Sequence, residues 1–124
     1  MSMSVSKHLR DEINQLHAQI CSGLADPTRI VILYALHGGP LTVSEIVNAL
    51  ELPQPTVSRH LKVLREAGLV VSERYFQRVQ YRLKDGRVIE ALNLLREILA
   101  NNMQERAQLI NNLLISQSIG DDEQ

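Results

Sequence analysis

Residues 42 to 83 read TVSEIVNALELPQPTVSRHLKVLREAGLVVSERYFQRVQYRL, and this stretch decides the fold. It opens on Thr42-Val43-Ser44-Glu45, a T-x-x-E capping box in which the Thr hydroxyl and the Glu carboxylate reciprocally accept backbone N–H groups of the first helical turn. A helix is therefore predicted from Thr42 to Leu50, burying Val43, Ile46, Val47 and Leu50. Glu51-Leu52-Pro53-Gln54 makes a short turn. A second helix is predicted over Pro55 to Ala67, because Pro fits the first helical position without losing a needed donor. Its Val57, Leu61 and Leu64 fall at i, i+4 and i+7, on one face. Gly68 is a candidate C-terminal cap. From Leu69 the period changes from helical to alternating. Val79, Tyr81 and Leu83 interleave with Arg78, Gln80 and Arg82, the pattern of a half-buried strand, with Leu69 to Arg74 as its antiparallel partner. The tip, Tyr75 to Gln77, lacks the Gly or Asn that marks a tight two-residue turn.

Helix, short turn, helix and basic hairpin, in that order, make a winged helix-turn-helix: mainly α with a small two-stranded β wing. Upstream, Asp26-Pro27 caps a helix to His37 carrying Ile30, Ile32, Leu33 and Leu36, and Gly38-Gly39-Pro40 stops it. Leu9, Ile13, Leu16, Ile20 and Leu24 lie on one face of an earlier helix, over about residues 6–24. Downstream, Asp85 is a candidate cap for a long helix over about residues 86–115. Its Val88, Leu92, Leu95, Leu99, Ile110 and Leu113 form a stripe, and Asn101-Asn102 predicts an interruption. Residues 1–118 are read as one domain, with 42–84 as its reading unit. The polar, acidic end, residues 119–124, is expected to be a disordered tail.

Composition narrows the function. The 124 residues include one Cys, which excludes an internal disulfide framework and fits a reducing compartment. There is no apolar run of the length a membrane span needs, and Met1 to Arg10 lacks the apolar centre of a secretory signal. The expectation is a cytoplasmic protein with no membrane partner. Aromatic residues, at 3%, are too few for a base-stacking surface. The net charge of −1 is a segregation. Residues 54–87 carry eight bases against three acids, net +5, and the rest five bases against eleven acids, net −6. The basic charge thus sits on the second helix and hairpin, where it can meet phosphates.

With Val57 at zero and about 100° per residue, Arg59 lies near 200°, Thr56 near 260° and Lys62 near 140°, away from the core. Gln54, Thr56 and Ser58 can donate or accept at base edges; Arg59, His60 and Lys62 can meet phosphates or guanine. Arg74 and Arg78 lie nearest the hairpin tip and are the further phosphate or minor-groove candidates. Arg82 is as readily a solvated strand residue. These eight residues, with double-stranded DNA as the partner, form the expected interface.

QPTVSRHLKVLREAGLVVSERYFQRVQYRL resembles the recognition helix and wing of the ArsR/SmtB family of bacterial transcriptional regulators. LADPTRIVILYAL and LTVSEIVNALEL resemble its preceding helices, so the resemblance runs from Leu24 to Leu83. It implies a homodimer built on the first and last helices, here Leu9, Ile13, Leu16, Ile20, Leu92, Leu95 and Leu99. It also implies a repressor that leaves an inverted-repeat operator when a small-molecule or ion effector binds. Pro53 stands where the family often carries Ser, so Gln54 is expected to serve as both cap and contact. The family's usual metal positions are unfilled. The first reading-unit helix holds no Cys or His, and Asp85 to Ser118 holds no His, its acids being Asp85, Glu90, Glu97 and Glu105. No metal cofactor is expected.

His17 and Cys21, four apart, share a helical face, as do His8 and Glu12, but zinc needs three or four ligands. Cys21 is therefore read as a small buried hydrophobe. It has no intrachain thiol partner and no cation within a turn on its face, which disfavours a thiol switch. His17–Cys21 is also the one nucleophile–base pair in reach, with no pattern for an oxyanion hole around it, so an enzyme is not expected. Two alternatives stand beside the inducible repressor: a constitutive DNA-binding regulator, and a protein-interaction adaptor on the same fold.

Overall fold

The computed structural model describes residues 4 to 122, with side chains as far as Gln117. Its elements are α1 (Lys7–Leu16), a π-helical turn (His17–Cys21), α2 (Pro27–His37), β1 (Leu41–Thr42), α3 (Val43–Leu50), α4 (Gln54–Glu66), β2 (Val70–Tyr75), β3 (Arg78–Leu83) and α5 (Arg87–Asp122). Met1–Ile89 and Glu90–Gln124 form two compact units. Among the described residues no helix is long and apolar enough to cross a membrane.

The first unit is a winged helix-turn-helix. Asp26 accepts the Thr28 N–H at 2.8 Å and starts α2. The capping box at Thr42 is complete: Glu45 N donates to the Thr42 hydroxyl at 3.2 Å, and Thr42 N to the Glu45 carboxylate at 3.1 Å. The Thr42 N–H, then the Thr42 hydroxyl and the positive charge of Arg78, hold the Glu45 carboxyl below its ordinary range. Ile32, Leu33 and Leu36 from α2, Ile46 from α3 and Val57, Leu61 and Leu64 from α4 are buried together with Leu69, Val70 and Ile89. Each such side chain contributes about 1.5–3 kcal/mol through removal from water. Val43, Val47 and Leu50 are only half-buried.

The wing is the expected two-stranded antiparallel hairpin, β2 paired with β3. β1 joins the hairpin in a three-stranded antiparallel sheet of order β1-β3-β2, with Leu41 opposite Tyr81 and Thr42 opposite Gln80. The cause is local. An N-cap residue needs extended backbone, and Thr42 has it (φ −77°, ψ 164°), so the residues entering α3 are already shaped to pair with β3. The hairpin register, from Val70↔Leu83 to Tyr75↔Arg78, leaves a two-residue turn at Phe76-Gln77. In place of a Gly or Asn, Phe76 itself adopts the left-handed region, φ 58°.

The helix around Ile20 also departs from the 3.6 pattern. The π-helical turn accommodates an extra residue and breaks the phase; Leu9, Ile13 and Leu16 before it are exposed, while Ile20 within it and Leu24 after it are half-buried. Gly23 follows it at a close approach: a Cβ there would lie 2.9 Å from Ala67 Cβ and 3.2 Å from Leu69 Cδ1.

In the second unit the helix is unbroken across Asn101-Asn102. Two modest propensity penalties inside a formed helix are smaller than the cost of ending it and nucleating another. The backbone stays helical to Asp122, so the expected tail is helix over 119–122; Glu123 and Gln124 lie outside the described residues. Leu95 and Leu99 are exposed, as are Ile98, Met103, Ile110 and Leu113. Leu92 does not share that exposure. It lies one turn after the buried Ile89 and is only 6% exposed, so it cannot belong to an open face.

At the start of α5, Asp85 accepts the Arg87 N–H at 2.9 Å and receives the Arg87 guanidinium at 2.6 Å. The Arg87 side chain, then its backbone N–H, lowers the Asp85 carboxyl from 3.8 to about 2. A depressed carboxyl stabilises the fold above its unfolded value and loses that contribution as pH falls through the folded one. Carboxyl titration by NMR is therefore expected to place the Asp85 midpoint near 2, and Arg87→Ala to move it back toward 3.8. A wild-type midpoint at the ordinary value would show that the contact does not persist.

Candidate nucleic-acid interface

α4 is held by Val57, Leu61 and Leu64, and this fixes what its other side presents. Gln54, Ser58, Arg59 and Lys62 are exposed, and Thr56 is half-buried at the edge of that surface. The helix starts one residue earlier than predicted, on Gln54, with Pro53 as its N-cap and no side chain capping it. Gln54 therefore does not act as the cap, because it is itself inside the first turn. An N-terminus without a side-chain cap keeps backbone donors and the positive end of the helix dipole turned outward, where a phosphate suits both.

His60 is placed differently from its neighbours. It is half-buried, and Arg29 Nη1 lies 3.3 Å from its Nδ1. Arginine has only donors, so the His60 Nδ1 is the acceptor in this contact. The same guanidinium donates from Nε to the Gly23 carbonyl at 2.8 Å and from Nη2 to the Ser22 carbonyl at 3.2 Å. The Thr28 N–H, and then the positive charge of Arg29, hold Asp26 below the ordinary carboxylate range. His60 thus joins α4 to the end of the N-terminal helix, and its Nδ1 is withdrawn from any direct base contact. Face counting on α4 could not reveal this, because the partner comes from a residue 31 positions earlier.

The wing supplies a second basic element. Arg74 and Arg78 are exposed beside the turn. Strand alternation places them on opposite faces, because Arg74 pairs across with Val79 and Arg78 with Tyr75. A cleft of about 430 Å³ between the N-terminus of α3 and the wing is lined by Thr42, Ser44, Glu45, Arg78 and Val79. Arg82 is engaged at home: its Nε donates to Glu73 at 2.7 Å and its Nη1 to the Leu83 carbonyl at 3.2 Å.

Cys21 is exposed, contrary to its reading as a buried hydrophobe. The buried position at this end of the helix is Gly23, and the π-helical turn leaves Cys21 and His17 outside. Among the described residues no three of His, Cys, Asp and Glu gather as a metal group.

Known proteins share this arrangement. Residues 26–72 match the family model for bacterial regulatory proteins of the arsR family. The transcriptional repressor SmtB of Mycobacterium tuberculosis is 45% identical over 74 residues, which are 60% of this chain and 55% of SmtB. The chain thus spans just over half the length of that relative. The transcriptional regulator NmtR of the same organism is 40% identical over 83 residues, 64% of this chain and 69% of NmtR. A homodimeric winged helix-turn-helix DNA-binding domain from Mycobacterium bovis, a possible ArsR-family regulator, superposes with TM-score 0.70 at 25% identity, covering 84% of this chain and 95% of that one. The repressor BigR of Xylella fastidiosa superposes with TM-score 0.63 at 28% identity, covering 76% and 96%. With the family model matching through both reading-unit helices, NmtR 40% identical over 69% of its own length, and the fold shared across nearly the whole of these structures, the chain belongs to the arsR family of bacterial regulatory proteins.

Proposed function

We propose that this protein is a sequence-specific DNA-binding transcriptional repressor that acts as a homodimer on an inverted-repeat operator. The observation that carries the reading is α4. One side is locked into the core by Val57, Leu61 and Leu64, and the other presents Gln54, Ser58, Arg59 and Lys62 beside a helix N-terminus without a side-chain cap. Such a helix has the shape and charge to enter a major groove, with Arg74 and Arg78 on the wing reaching the flanking backbone. Two copies related by a two-fold axis read half-sites about 34–36 Å apart, one helical turn. Release follows when an effector, a small molecule or an ion, favours a dimer geometry in which the two α4 helices no longer fit successive grooves. No metal held at the family's usual ligand positions enters this reading, since α3 offers neither Cys nor His.

Arg59 is the test. A duplex selected from a random library by the wild-type chain is titrated with both proteins over a salt series. Arg59→Ala is expected to cost about 1–3 kcal/mol and relax one base position if Arg59 reads a base edge, or to lower the salt slope by about one if it meets a phosphate. If the wild-type chain selects no sequence and shows no salt-dependent affinity, the repressor reading fails and the adaptor reading replaces it.

A further inference from the structure

The tip of the wing carries two aromatic rings where a hairpin of this kind needs none. Phe76 is 82% exposed and Tyr75 62%. Phe76 also holds a left-handed backbone, φ 58°, which glycine adopts freely and an aromatic residue rarely does. A bare apolar ring on a disfavoured backbone contributes nothing to the core of this chain, and strain of this type marks positions used for something else. The ring is also preset: Tyr75 meets it edge to face, with centroids 4.7 Å apart and planes at 83°. Arg74 and Arg78 flank it on the two faces of the hairpin, so whatever receives the ring is negatively charged on both sides.

We infer that Phe76 is a minor-groove wedge. Building on the DNA-binding reading above, each wing inserts the Phe76 ring at a flexible pyrimidine–purine step outside the half-site read by α4. There it partly unstacks that step and bends the duplex, while Arg74 and Arg78 take the phosphates of the two strands. A narrow groove between two phosphate rails matches an apolar ring between two guanidinium groups. Specificity follows at base pairs that no side chain hydrogen-bonds, because a stiff step resists the wedge.

The experiment compares the full chain with Phe76→Gly on the duplex selected by the wild-type chain, carrying 2-aminopurine at successive flanking positions and a donor–acceptor dye pair at its ends. Glycine suits the left-handed turn, so the variant is expected to melt no lower than the wild type and to keep the same salt slope. The wild type is expected to raise 2-aminopurine fluorescence at one flanking step and shorten the end-to-end distance. Phe76→Gly is expected to lose both signals and about tenfold in affinity, the scale of one ring–base contact. Phe76→Gly that binds and bends like the wild type overturns the wedge and leaves the repressor reading standing. A wild-type chain that binds no duplex overturns both.

Discussion

Replacing Leu95 and Leu99 together by glutamate is expected to turn the protein into a monomer and to lower operator affinity by about 10²- to 10⁴-fold, the gain that tethering two reading heads provides. The second unit holds a stripe of large apolar side chains that stand exposed among the described residues. Leu95 is 59% and Leu99 58% exposed, and Ile98, Met103, Ile110 and Leu113 extend the stripe along the helix. A continuous apolar surface of that kind marks an interaction site. Two carboxylates placed one turn apart in each copy would bring four like charges into an apolar contact. Sedimentation velocity reads the assembly state, and fluorescence anisotropy with the selected duplex reads the affinity. The buried core of the first unit is untouched by these changes, so the monomer is expected to keep its cooperative unfolding. A variant that still sediments as a dimer would remove this stripe from the interface.

Leu61→Ala is expected to cost about 2–5 kcal/mol of stability. Leu61 is 1% exposed, between the equally buried Val57 and Leu64, and its truncation leaves a cavity that a packed helix cannot close. Against a total stability of about 5–15 kcal/mol, that loss leaves the fold marginal. Urea denaturation measures it. Lys62→Ala, on the exposed side of the same helix, is expected to change stability by less than about 0.5 kcal/mol. The contrast between neighbouring residues tests which side of α4 is locked and which is offered. Equal losses for Leu61→Ala and Lys62→Ala would mean that the helix is seated the other way.

Much of this was legible in the residues. The capping box at Thr42, the Asp26-Pro27 start of α2 and the change of period after Gly68 each rest on chemistry confined to a few neighbours, and the elements lie where that chemistry places them. The departures come from interactions that local spacing cannot show. His60 points outward by its position on α4 but meets Arg29, whose three hydrogen bonds also hold the Gly23 and Ser22 carbonyls. Leu92 fits the stripe of α5 by period, yet it is buried where Leu95 and Leu99 are exposed. The π-helical turn at His17–Cys21 is invisible to a rule that assumes 3.6 residues per turn, and with the phase it changes Cys21 from buried to exposed. β1 is only two residues long, too short to register as a strand pattern.

That short strand has a consequence for the operator. Because Leu41 and Thr42 are stitched to Tyr81 and Gln80, and Thr42 also starts α3, the wing cannot swing independently of the helices beside it. Within one protomer the distance from α4 to the wing tip works as a fixed ruler. A base pair inserted between the bases under α4 and those under the wing would put the two out of step, by about 3.4 Å and a tenth of a turn, with no joint to absorb it.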